Sequence, residues 1–193
     1  MVNYIAQKIF LISVDDNDER SIYTRYYIEC YLVGLQKLCE IIILAALFKT
    51  FKETIIVGFL MTVTRKYSKG WHSKSKLGCS VLNALFYVVI PYFIGKMNFQ
   101  ISYFALAIIG IVVLVLTAIY APQFNAAEMK TTKEKNLNTK VKAISVNLGI
   151  FIISIFCPNE IQNLLVYTLV LQSLMIYPPL KKFITGDAYK WKV

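Results

Sequence analysis

Apolar residues in this chain come in long blocks, at residues 31–48, 54–64, 79–95, 101–120, about 141–157 and 161–177. A bilayer core takes about 20 helical residues, with a range of about 17–25. The block "ISYFALAIIGIVVLVLTAIY", residues 101–120, meets that length unaided. The second block, "TIIVGFLMTVT", is short. It spans only by borrowing "TFKE" and "RKYS" from its flanks through snorkelling, or else it is tilted or re-entrant. The pattern therefore predicts an all-α integral membrane protein of about six transmembrane helices, the second one short. Upstream, Val2, Ile5, Ala6, Ile9 and Ile12 fall at helical spacing with Asn3, Gln7 and Lys8 opposite. That is the pattern of an amphipathic helix lying in the membrane interface, within a polar N-terminal segment of residues 1–29. "DDNDE" ends that pattern. The N-terminus lacks the long apolar core and small-residue cleavage site of a secretory signal. No repeat or linker divides residues 1–193, which read as one polytopic domain, and the one long polar connection is about 123–140.

Composition agrees. Hydrophobic residues make up 57% of the 193, only 17% are charged, and the mean hydropathy is +0.56, where a soluble domain carries about 25% charged residues. The net charge of +10 raises nucleic acid as a partner, but its distribution offers another cause. With the N-terminus inside and six spans, seventeen Lys/Arg residues fall in inner segments. Only Lys49, Lys52 and Lys96 fall in outer loops, and Lys37 lies within the first span. Lys/Arg bias sets orientation. The chain is expected N-in and C-in, multi-pass in the cell membrane, with no nucleic-acid partner.

The inner loop over residues 65–79 reads "RKYSKGWHSKSKLGC". It holds the single histidine, His72, and Cys79 seven residues later, among Arg65, Lys66, Lys69, Lys74 and Lys76. Zinc needs three or four ligands, and the loop supplies one His, one Cys and no carboxylate, so no metal or other cofactor is expected. A Ser–His–Asp arrangement lacks its orienting acid. Two readings stay open. His72 is either a solvated loop residue with Cys79 merely packed, or the two form a dyad in which imidazole takes the thiol proton and the thiolate attacks a carbonyl. On a continuous helix, residues seven apart sit about 10 Å apart along the axis, whereas a hydrogen bond needs about 3 Å. A dyad therefore requires a break, which Gly70 and Gly78 supply. A helix start beside lysines is a setting that favours thiolates. The four cysteines make no disulfide framework: Cys79 faces a reducing compartment, Cys30 and Cys39 belong to the first span, and Cys157 lies near the outer face.

The run from Arg65 to Cys79 resembles the motif of the accessory gene regulator B family of membrane endopeptidases in Gram-positive quorum sensing. That motif has an Arg, a Gly two residues before a His, and a Cys seven after it; Arg65, Gly70, His72 and Cys79 match in type and spacing. "YLVGLQKL" is similar to the family's "YGLE" region, and "YAP" at residues 120–122 precedes a Lys-rich loop. This chain departs from the family at Lys69, where a second glycine is common, at Ser73, where alanine is, and at Gln36, in place of the glutamate. It also has "AEMK" in the region of a Lys-Pro pair. The resemblance implies a cysteine endopeptidase with His72 and Cys79 catalytic and its active site on the cytoplasmic side. Its partner would be a small precursor peptide with an amphipathic leader and an acidic C-terminal tail. The enzyme would remove the tail, hold the upstream part as an acyl-thioester on Cys79, and let a substrate cysteine close a thiolactone.

Other residues have two readings each. Arg65 and Lys66 either bind an acidic tail or anchor at the interface. Lys74 and Lys76, with Lys130, Lys133 and Lys135 in the later loop, either meet the substrate tail or simply mark an inner face. Lys37 and Glu40, ionisable within a span, are spaced to pair with each other, or Glu40 orients His72. Asn83 either faces Cys79 from one turn away or makes a packing contact. A short second span leaves room for a homodimeric partner to shield it. The competing function is a small transporter or peptide-export partner, which requires strong polar residues at mid-membrane in several spans; the sequence shows strong ones only in the first.

Overall fold

The protein is described by a computed structural model that covers residues 19–70, 76–97, 99–122 and 133–179. Every regular element among them is helical. In order they are α1 (Glu19–Phe48), α2 (Phe51–Ser68), α3 (Lys76–Ala84), a π-helical turn (Leu85–Val89), α4 (Ile90–Lys96), α5 (Tyr103–Tyr120), α6 (Lys133–Phe156) and α7 (Asn159–Ile176). The amphipathic helix expected over residues 2–12 lies outside the described residues.

Each apolar block of the sequence falls in a helical stretch. The first helix is longer than its block, since α1 continues back through polar residues to Glu19. At 1.5 Å per residue it reaches about 45 Å, beyond a hydrocarbon core of about 30 Å. The short second block does take in its flanks: α2 starts at Phe51 and keeps Arg65 to Ser68, giving 18 residues. Four stretches are long and apolar enough to cross a membrane, Tyr31–Phe48, Leu77–Lys96, Tyr103–Tyr120 and Leu137–Phe156.

The two helices outside that set of four, α2 and α7, are the central ones. Helix α7 packs against α2, α4, α5 and α6, and most of its residues are buried. Val57 and Met61 of α2 meet Leu164, Leu171 and Met175 of α7. On the other side, Leu165 and Leu169 meet Val113 and Ile150. Gly110 lets α5 come close to α6, because a Cβ there would lie 2.4 Å from the Phe151 ring. Outward residues such as Phe59, Phe104, Ile119 and Phe156 are apolar and exposed, as lipid contact requires.

Polar residues are inside, and here the structure corrects the reading that only the first span holds strong ones. Asn147, Gln162, Asn163 and Gln172 are buried in α6 and α7. Each donates within the bundle: Asn147 to Thr117 Oγ1 (2.8 Å), Gln162 to the Ser154 carbonyl (3.0 Å), Asn163 to the Phe99 carbonyl (2.8 Å) and Gln172 to the Lys69 carbonyl (2.8 Å). All are uncharged, and they join helices to their neighbours.

The stretch Leu77–Lys96 bends its hydrogen-bond ladder around a proline. The Ile90 N–H bonds to the Leu85 carbonyl, five residues back. Pro91 has no N–H, so the Phe86 carbonyl gains no donor from its own helix at that spacing. Tyr167 Oη supplies one from α7, at 2.9 Å. A freed carbonyl inside an apolar bundle is resatisfied by a neighbouring helix.

The two ends of the bundle differ. At one end, Tyr67, Tyr120, Ala121, Ala143 and Ile176 pack together, where α2, α5 and α7 finish. At the other, Lys52 of α2 pairs with Glu160 of α7 at 3.3 Å.

Candidate functional site

Cys79 stands in the first turn of α3, half-buried and free. The N–H groups of a first turn lack intrahelical acceptors and carry the positive end of the helix dipole. Enzymes commonly place anionic nucleophiles in that setting. One turn on, Nδ2 of Asn83 donates to Cys79 Sγ at 3.8 Å. Of the two readings open for Asn83, the structure shows the one that meets the thiol.

Helix α1 reaches the same turn. Lys37 Nζ pairs with Glu40 at 3.0 Å and also donates to the hydroxyl of Ser80, the residue after Cys79. Gln36 donates to the Glu40 carboxylate at 3.1 Å. Where the family resemblance places a glutamate, this chain thus has an amide that supports a carboxylate one turn later. Ser80 was not foreseen. Its partner lies 43 residues away, beyond the reach of any helical spacing rule.

The other arm of the motif is the end of α2. Its last turn holds Arg65 and Lys66, and the Arg65 carbonyl accepts the N–H of Lys69 at 2.9 Å. Lys66 Nζ lies 5.6 Å from the centre of the adjacent Tyr67 ring, which suits an interfacial anchor. Lys69 then turns to φ 57° and Gly70 to φ 145°. Gly70 is buried, and a Cβ on it would come 3.3 Å from the Met175 carbonyl oxygen. The glycine is needed for its backbone angle and for that approach. Gln172 and Met175, which receive this turn, were missed by sequence reasoning. The visible signal was a lone amide inside the apolar block "LVLQSLMI".

His72 and Lys74 lie outside the described residues, as does Lys130. Lys76, Lys133 and Lys135 belong to helices, but their side chains are not among those described. The structure therefore brings together Cys79, Asn83, Ser80, Lys37 and Glu40 at one turn, and Lys69 and Gly70 with α7 at another.

Comparison with known proteins bears on this arrangement. The family model for accessory gene regulator B matches residues 1–176. Protein FsrB of Enterococcus faecalis is 30% identical over 189 residues, covering 98% of this chain and 78% of that protein. Accessory gene regulator protein B of Staphylococcus epidermidis is 30% identical over 148 residues, 76% of this chain and 74% of that one. A putative AgrB-like protein 2 of Clostridium perfringens is 28% identical over 169 residues, 84% and 75% of the two chains. No solved structure matches. With its apolar helices of spanning length and a family match over nearly the whole chain, this membrane protein belongs to the accessory gene regulator B family, whose members process quorum-sensing autoinducers.

Proposed function

We propose that the chain is a cysteine endopeptidase that removes the C-terminal tail of a quorum-sensing precursor peptide and supports closure of a thiolactone ring. One observation carries this reading: the motif cysteine, Cys79, sits half-buried in the first turn of a helix with an amide donor on its sulfur.

The chemistry follows in two exchanges. His72 takes the Cys79 proton, and the thiolate attacks the scissile carbonyl. The C–S bond forms, the C–N bond breaks, and the imidazolium returns its proton to the leaving amine. Amide to thioester is uphill, so departure of the cut tail drives the step. A cysteine within the substrate then attacks the thioester, and the Cys79 thiol is released. That exchange is nearly isoenergetic. A tethered thiol outruns water because its effective molarity reaches about 10⁵–10⁸ M. The lysines of the two inner loops suit an acidic tail, and the active site faces the cytoplasm. The transporter reading requires polar residues that line a path. The amide groups here donate to neighbouring segments of the bundle instead, which favours the enzyme.

The test is co-expression with the small peptide encoded beside the gene, followed by mass spectrometry of membranes and medium. A cyclic product and a separate tail are expected. A precursor recovered intact would refute the reading.

A further inference from the structure

Helix α2 ends by leaving its right-handed path at Lys69 and Gly70. Carbonyls at a helix C-terminus lose their intrahelical donors, and away from water a bare carbonyl is costly. The Lys69 carbonyl accepts Nε2 of Gln172, at 2.8 Å and from 103 residues further on. Because a carbonyl only accepts, the orientation of the Gln172 amide is settled by chemistry. Gln172 is fully buried, and its Oε1 has no partner among the described residues. Three residues along α7, the Met175 backbone receives Gly70. Helix α7 is itself enclosed by four others. Lys69 and Gly70, the last described residues before 71–75, are therefore held against the enclosed helix α7, and His72 follows Lys69 by three.

We propose that Gln172 is a positioning residue for peptide processing: by holding the Lys69 carbonyl, its amide sets where the chain enters the histidine segment. The inference rests on the Cys79–His72 reading above. Packing of α7 does not need an amide at this position, since Leu164, Leu171 and Met175 supply the apolar contacts.

The test compares wild type, Gln172→Leu, Gln172→Glu and Cys79→Ala in nanodiscs, with the peptide encoded beside the gene as probe. Gln172→Leu keeps volume and loses the donor. Its kcat should fall about tenfold to a hundredfold, the scale of a small misplacement of catalytic groups. KM should stay within about twofold of wild type, and alkylation of Cys79 by iodoacetamide well above the ordinary thiol pKa of about 8.5, where the thiol ionises without a base, should be unchanged. Gln172→Glu donates only when protonated, so its activity relative to wild type should climb as pH falls. Wild-type kcat in Gln172→Leu would overturn the proposal. So would a parallel loss of Cys79 alkylation at that high pH, which would mark general support of the fold, or a pH-independent ratio for Gln172→Glu. Processing by Cys79→Ala would refute the nucleophile itself, a failure distinct from that of Gln172.

Discussion

Lys37, inside the apolar run of α1, donates to the hydroxyl of Ser80, the residue that follows Cys79. The same ammonium is paired with Glu40, so an ion pair within a membrane-length helix ties α1 to the nucleophile's turn. Over residues 31–48, α1 otherwise faces mostly outward, with Leu38, Ile43 and Leu47 exposed. Charges are expensive in such a place unless each has its partner.

Removing one partner should therefore hurt more than removing both. Lys37→Met leaves the Glu40 carboxylate without its cation, and thermal unfolding in detergent should begin at a lower temperature. Lys37→Met/Glu40→Leu should regain much of that loss. A double variant as unstable as the single one would show that the pair is not the coupled unit described.

The hydrogen bond at the π turn should be measurable as a cycle. Tyr167→Phe leaves the Phe86 carbonyl without its donor and should cost about 1–3 kcal/mol. Pro91→Ala restores a backbone N–H to the stretch Leu77–Lys96, so the same Tyr167→Phe change should cost less in that background. Unfolding in mixed detergent reads both. Equal costs in the two backgrounds would separate the tyrosine from the proline.

Gly70→Ala should lose processing. The backbone angle of 145° and the Met175 carbonyl at 3.3 Å both oppose a side chain, and such strain costs about 1–3 kcal/mol. Truncating the Met175 side chain should not rescue it, because the obstacle is backbone. Wild-type processing by Gly70→Ala would show that this turn is not needed.

Orientation is tested by labelling. A Ser73→Cys variant in a background lacking Cys30, Cys39, Cys79 and Cys157 should react with an impermeant maleimide only after permeabilisation. Reaction in intact cells would reverse the N-in arrangement.

What the sequence disclosed and what it hid have physical causes. Lipid contact writes itself as unbroken apolar blocks, and so the helical stretches were visible before the structure. The centrality of α7 was not visible, because hydropathy records composition and not surroundings: a helix enclosed by protein tolerates Gln162 and Gln172 once each finds a carbonyl. Those carbonyls belong to Ser154 and Lys69, and the second is 103 residues away. The Lys37–Glu40 pair was legible from its helical spacing, whereas Ser80 was not. Pro91 stood in plain view within its block, but the bond it removes becomes evident only when Tyr167 is seen to replace it.

The central claim is that Cys79 carries the cleaved peptide, and the most direct measurement is its trapped intermediate. A precursor whose internal cysteine is replaced by alanine should still be cut, leaving its upstream part on Cys79. Mass spectrometry should find a hydroxylamine-sensitive adduct on the peptide containing Cys79. The adduct should be absent in Cys79→Ala. It should fall steeply in His72→Ala, since general-base help is worth about 10²–10⁴-fold. Cleavage of the precursor by Cys79→Ala, or cleavage by the wild type with no adduct at that cysteine, would contradict the account.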